Sequence, residues 1–163
     1  MIDQPNPTPT LYTWAGGAEA FERLFTRFYE RVRDDTLLAP IFARMDPHHA
    51  QHVARFVGEV LGGPKAYSEQ HGGGEGGHAQ MIARHLGRHL TQEQRRHWMN
   101  LLLDCADELA LPDDPEFRSA LVAYLEWGSR LAVLNSQSGV EAPPADSLMP
   151  AWGWGEVKGP YQG

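Results

Sequence analysis

Cysteine is almost missing from this chain, and Cys105 is the only one. A single thiol cannot close an internal disulfide, so a reducing compartment is expected, and the cytoplasm is the default. Cys105 falls on the apolar face of an expected helix, where an inert core thiol is the natural reading. Lysine is nearly as scarce, with Lys65 and Lys158 alone, and the net charge is −7. The arginines are scattered among acids. That leaves no basic patch for nucleic acid. No apolar run is long enough to cross a bilayer, and the N-terminus does not have the pattern of a signal peptide. Internal repeats and strand-like alternation are also missing. The expected class is all-α.

What is present is an ordinary globular composition, 42% apolar and 21% charged over 163 residues, enough for one domain with a real core. Residues 1 to 16 are rich in Pro and Thr, with Leu11, Tyr12 and Trp14 as packing candidates. Gly16-Gly17 punctuates the chain before a helix from about Ala18 to Arg33, where Phe21, Leu24, Phe25, Phe28 and Val32 recur at helical spacing. Tyr29 lies on the same face, so its hydroxyl enters the interior and needs a partner. TLLAPIF reads as a short helical turn broken by Pro40 and closed by Phe42.

Asp46-Pro47 is expected to open the next helix, running to Leu61 and stopped by Gly62-Gly63-Pro64. Its inward stripe is His49, Val53, Phe56 and Val60, while His48, His52, Arg55 and Glu59 share the other face. An inward histidine among apolar residues also requires a partner. KAYSEQ follows, then glycines between Gly72 and Gly77 interrupted by Glu75. A phosphate-cradling loop would need a preceding strand and a following lysine or serine, so a linker is expected.

His78 to His89 reads as short and partly helical, with Met81, Ile82, His85 and Leu86 facing in and Gly87 loosening its end. Thr91 caps a long helix with Gln94 in capping-box register. Trp98, Leu102, Cys105 and Leu109 form its apolar stripe, and Pro112 ends it. Asp114-Pro115 caps the last helix, to about Asn135. Beyond it, Trp152, Trp154 and Tyr161 lie in an irregular tail that either packs on the domain or partner, or stays loose.

With these residues placed, the chain resembles the truncated haemoglobins, specifically their second group (the HbO-like branch). The resemblance runs from Leu11 to Ser136. It rests on Gly16-Gly17, FYERVRDD with Tyr29, Gly-Gly-Pro with KAYSEQ, Arg84-His85, Trp98, and YLEWGSRLAVLNS. It implies a two-over-two helical sandwich around haem b, with residues 16–136 as the globin domain between extensions 1–15 and 137–163. Carried over, it makes His85 the proximal iron ligand and Phe42 the aromatic against the porphyrin. Val53 and Phe56 become apolar walls, and Met81 and Leu90 further cofactor contacts. Arg84, Tyr67 and His52 fall near the propionates. Tyr29, His49 and Trp98 fall at the distal positions that line a bound ligand. Phe42 stands where the group often has tyrosine or histidine, and a histidine at His49 is not universal there. The alignment leaves His48 as a neighbour that could take the place of His49, but helical phase favours His49.

The partners implied are oxygen, carbon monoxide and nitric oxide, with peroxide as a further candidate, an outside reductant, and a second copy in a homodimer. Tight oxygen retention by distal hydrogen bonds is the expected function, and peroxidase or nitric oxide chemistry at the same haem is the alternative. Two readings from other classes stand beside it. One is a non-haem metal site on the i,i+4 pairs His48/His52 and His85/His89, though zinc needs further ligands and a di-iron site wants inward glutamates. The other is a helical interaction module without cofactor.

Overall fold

The first surprise of the fold lies in the Pro/Thr-rich start. Thr10 accepts a hydrogen bond from the Thr13 backbone N–H and so caps a five-residue helix, α1 (Leu11–Ala15). So short a helix has no stability of its own. It is held by burial of Leu11 and Ala15 in the core, by the Tyr12 N–H donating to Leu61 O at 2.9 Å, and by the Tyr12 ring stacked on Phe21. The computed structural model describes residues 6–70, 77–144 and 146–160.

Helix α2 (Gly17–Arg33) buries the anticipated stripe together with Tyr29. A 3₁₀ turn, Ala39–Phe42, follows with Pro40 inside its first turn, so the proline starts this element and does not break it. Helix α3 (His49–Val60) begins later than Asp46-Pro47 suggests. Asp46 still acts as a cap, but on the turn before the helix, where its carboxylate accepts from the His48 N–H and its carbonyl from the His49 N–H. Helix α4 (Ala66–Gln70) and helix α5 (Gly77–Ala83) are short. The glycines Gly72 to Gly76 of the expected linker, with Glu75, lie outside the described residues, as does Tyr161.

Helix α6 (Gln92–Glu108) carries the complete capping box, with Thr91 accepting from the Gln94 N–H and the Gln94 side chain accepting from the Thr91 N–H. Helix α7 (Pro115–Asn135) starts on Asp114, which accepts from the Phe117 N–H and also from the Trp14 indole. Among the described residues there are seven α-helices and no strand. Two pairs, α2 with α3 and α6 with α7, cross through a contact of α2 on α6, giving the two-over-two sandwich. No helix among the described residues is long and apolar enough to cross a membrane.

Close approach between α1 and the end of α3 depends on glycine. A Cβ at Gly63 would lie 2.6 Å from the Tyr12 ring and 2.7 Å from Gly58 O, and one of these is rigid backbone. Gly63→Ala is therefore expected to cost about 1–3 kcal/mol through overpacking. A thermal melt checks this, with a drop of roughly 2–4 °C for each kcal/mol in a chain of this size.

The tail packs on the domain. The Trp152 N–H donates to Val60 O at 2.8 Å, and the Trp154 indole N–H donates to Pro9 O at 2.8 Å. Trp154 also sits against Trp14 and Phe117. Indole rings with both an apolar body and a donor suit such a bridging role.

Candidate functional site

The two helix pairs enclose a cavity of about 420 Å³. That is within the usual range for a small-molecule or cofactor site, roughly 300–1,000 Å³. Its walls are mostly apolar, from Leu38, Ile41, Val53, Phe56, Met81, Leu90, Leu125 and Leu131, with a few polar groups reaching in.

Tyr29, on α2, meets His49, on α3, at this cavity. The Tyr29 hydroxyl and His49 Nε2 are hydrogen-bonded at 3.0 Å, so each inward polar residue is the other's partner. Phe42 closes over them, its ring 5.4 Å from Tyr29 and 5.9 Å from His49. Trp98 reaches the same cavity from α6 and packs edge-on against Phe28. His48, by contrast, is exposed and contacts Gln51, as helical phase requires.

Burial keeps both groups neutral. It raises the Tyr29 phenol well above its ordinary value. The His49 imidazole is pushed down to about 4, first by burial and then by the positive charge of Arg84. A neutral imidazole has one N–H and one acceptor nitrogen. With the proton on Nε2, His49 donates to the Tyr29 oxygen, which leaves the phenol hydrogen free to point into the cavity. With the proton on Nδ1, the phenol donates to His49 and is occupied. Both arrangements need only local proton movement.

His85 lies just past the end of α5, in a turn where its N–H donates to Ile82 O and Gly87 takes a positive φ of 73°. The helix is thus shorter than the sequence pattern implies, ending at Ala83. The His85 Nδ1–H donates to Met81 O at 2.9 Å. Burial lowers the affinity of this imidazole for a proton, although the Met81 carbonyl works the other way. A neutral ring with Nδ1 committed to a carbonyl keeps the Nε2 lone pair available, the arrangement a metal-ligating histidine needs.

Arg84 lines the cavity as expected, and so do Arg44 and Arg88, which the sequence reading did not single out. Arg88 donates to Arg84 O at 2.6 Å. Its i,i+4 spacing from Arg84 was the available signal. Arg44 follows the 3₁₀ turn and has no periodicity to reveal it. Also unanticipated are His78, the α7 face with Tyr124, Trp127 and Gly128, and Pro150 from the tail. Two sequence-predicted residues are not among those lining the cavity. Tyr67 is fully buried against Phe56, and His52 lies beside His48.

Among the described residues no group of three or more His, Cys, Asp or Glu comes together to hold a metal. His89 lines no part of the cavity and is exposed, its N–H donating to Ser136 O. The i,i+4 histidine pairs therefore do not build a multi-histidine centre. The site fits a different guest, a largely apolar group with an anionic edge for the arginines and a metal satisfied by one imidazole.

Comparison with known proteins agrees. A family model described as bacterial-like globin matches residues 10–127. The group 2 truncated hemoglobin YjbI of Bacillus subtilis is 34% identical over 122 residues, covering 75% of this chain and 87% of that protein. Among solved structures, the group II truncated hemoglobin from Bacillus anthracis superposes with a TM-score of 0.69 at 26% identity, over 78% of this chain and 93% of the other. A truncated oxygen-avid haemoglobin from Bacillus subtilis gives 0.65 at 33% identity, over 77% and 99%. The chain belongs to the bacterial-like globin family, as a group II truncated haemoglobin, and this membership implies a haem cofactor and a diatomic gas as ligand.

Proposed function

We propose that this chain is a haem b globin that retains oxygen tightly through hydrogen bonds from its distal side chains. The observation that carries the reading is the Tyr29–His49 hydrogen bond at 3.0 Å on the wall of a cavity that Trp98 and His85 also line. When bound, the haem supplies a metal centre with one coordination position open to a small ligand. His85 holds the metal through Nε2, with Met81 O fixing its ring. Phe42, Val53, Phe56, Met81 and Leu90 sheathe the macrocycle. Arg84, joined by Arg44 and Arg88, meets the propionates. Cys105 is the sole cysteine and is buried away from the cavity, so covalent thioether attachment is not available and haem b is favoured.

Tyr29, His49 and Trp98 present donors to a ligand that gains partial negative charge on binding. Each such bond contributes on the order of 1 kcal/mol, and more when charge-assisted. His49 stays neutral down to about 4, so its donor does not titrate in the physiological range. The oxygen dissociation rate of the loaded protein is accordingly expected to be flat from about pH 8 to about pH 5, whereas a solvent-exposed histidine would titrate near 6.5. Stopped-flow displacement across that range tests the assignment, and a sigmoidal change centred near the ordinary histidine value would remove His49 from the site.

A second reading, peroxide reduction at the same haem, is favoured by the same pair. A neutral imidazole bonded to a phenol can accept a proton on one atom and release one from the other, which is the proton handling that oxygen–oxygen cleavage requires.

A further inference from the structure

Aromatic side chains that the proposed site leaves unused gather in two places. One joins Trp14, Trp154 and Phe117 at the α1 end, away from the cavity. The other stands on the cavity itself. Its three rings touch one another, with centroids 6.4 Å apart for Tyr124 and Trp127, 5.8 Å for Tyr124 and Trp152, and 5.7 Å for Trp127 and Trp152.

The placement of this second cluster is unusual for packing residues. Tyr124 is buried and lines the cavity, and Trp127 lines it as well while remaining 40% exposed to solvent. A single indole thus both lines the cavity and is partly exposed. Trp152 arrives from the tail, beyond residues 10–127 of the family match, and is pinned there by its backbone bond to Val60. Tryptophan and tyrosine are the side chains most easily oxidised by one electron. Rings this close exchange an electron readily, because coupling decays steeply with distance and the centroids here are 5.7 to 6.4 Å apart.

We infer that Trp127, in contact with Tyr124 and Trp152, is a surface oxidation site that passes single electrons from reductants too large for the cavity to a peroxide reduced inside it. The inference rests on the haem reading above. The reductant class is a bulky one-electron, one-proton donor such as a phenol or aromatic amine. Hydrogen peroxide takes up two electrons and two protons, its O–O bond breaks, and two waters form. Each electron leaves the Trp127 indole, whose N–H proton passes to solvent, and a phenol at the surface restores the indole by giving up one electron and one proton. Two phenols become phenoxyl radicals for each peroxide consumed, and the protons balance through water.

The test uses the full-length, haem-loaded protein with a stoichiometric amount of hydrogen peroxide and a nitroso spin trap, followed by peptide mass mapping. The expected result is an adduct on Trp127 as the main labelled residue. Trp127→Phe is expected to lose that adduct and to lose oxidation of a phenol tethered to dextran. Trp14→Phe, in the other cluster, is expected to change neither. Adducts confined to Tyr29 or Trp98 in the unaltered protein would overturn the relay without need of any variant. So would a Trp127→Phe protein that oxidises the tethered phenol as fast as the parent. Soret absorbance is read on every sample first. An unaltered protein that takes up no haem overturns the proposed function and the relay with it, whereas a haem-loaded unaltered protein lacking the Trp127 label overturns the relay alone.

Discussion

Replacing His85 with alanine is expected to yield a folded protein that does not retain haem through gel filtration. The reason is specific to this imidazole. Its Nδ1–H is committed to Met81 O at 2.9 Å, which fixes the ring plane and leaves Nε2 as the donor that the proposed site needs. The other histidine lining the cavity besides His49 is His78, stacked on Phe56. His85 stands in a turn after α5, half-buried on the cavity wall, so alanine there trims the cavity lining and leaves the helix-to-helix core contacts in place. Helical content is therefore expected to survive. The thermal stability that haem adds should not. A ligand present at about a hundred times its dissociation constant adds about 2.7 kcal/mol to folding. The variant should accordingly melt where the haem-free parent melts, with or without added haem. Exogenous imidazole should restore binding to a His85→Gly variant, since the missing group is then supplied from solution. A His85→Ala protein that elutes with stoichiometric haem would move the ligand to another residue.

The second large effect is on ligand release. Tyr29→Phe deletes one donor and keeps the ring against Phe42, and Trp98→Phe deletes one donor and leaves a smaller aromatic ring against Phe28. Loss of one hydrogen bond to a partly charged ligand costs roughly 1.5–3 kcal/mol. Oxygen release is then expected to accelerate by about tenfold or more for each variant, since about 1.4 kcal/mol is tenfold. Tyr29→Phe should have a further consequence. Without the phenol, His49 Nε2 loses its partner at 3.0 Å and is left to face the ligand directly. The double variant Tyr29→Phe/His49→Leu should thus release oxygen faster than Tyr29→Phe alone, and the two residues should be non-additive because they share a bond. Rapid-mixing displacement of oxygen by carbon monoxide measures all of these rates. An unchanged rate in Trp98→Phe would remove that indole from the ligand's surroundings.

Much of the architecture is legible in the sequence because it is written in period and caps. The α2 stripe, the Thr91–Gln94 box and Asp114-Pro115 each state a helix in residues that have one physical role. Helical phase likewise separates His49 from His48, and each inward polar group shows its need for a partner, which the fold meets by pairing Tyr29 with His49. Elements made by tertiary contact are another matter. Helix α1 is five residues long, too short to show a period, and it is held where Thr10 and Tyr12 fit against glycines about fifty residues away in sequence. The early end of α5 at Ala83, before His85, is similarly decided by the turn around Gly87 and not by any break in apolar spacing.

The site follows the same division. Residues that the resemblance brings forward, Tyr29, Phe42, His49, Val53, Phe56, Met81, Arg84, His85, Leu90 and Trp98, all line one cavity. The α7 face and Pro150 were not legible. An apolar stripe looks the same whether it packs on another helix or walls a cavity, and an irregular tail announces no destination. Tyr67 illustrates the opposite limit, since the resemblance puts it near the propionates but its ring is fully buried beside Phe56 and does not line the cavity.

The most direct test of the haem assignment is the visible absorption spectrum of the purified protein, taken oxidised, then reduced, then after mixing with air. The account predicts a Soret band that shifts on reduction and shifts again on exposure to oxygen, with an oxygenated spectrum that persists. A protein that shows no Soret band even after haem is added would contradict it.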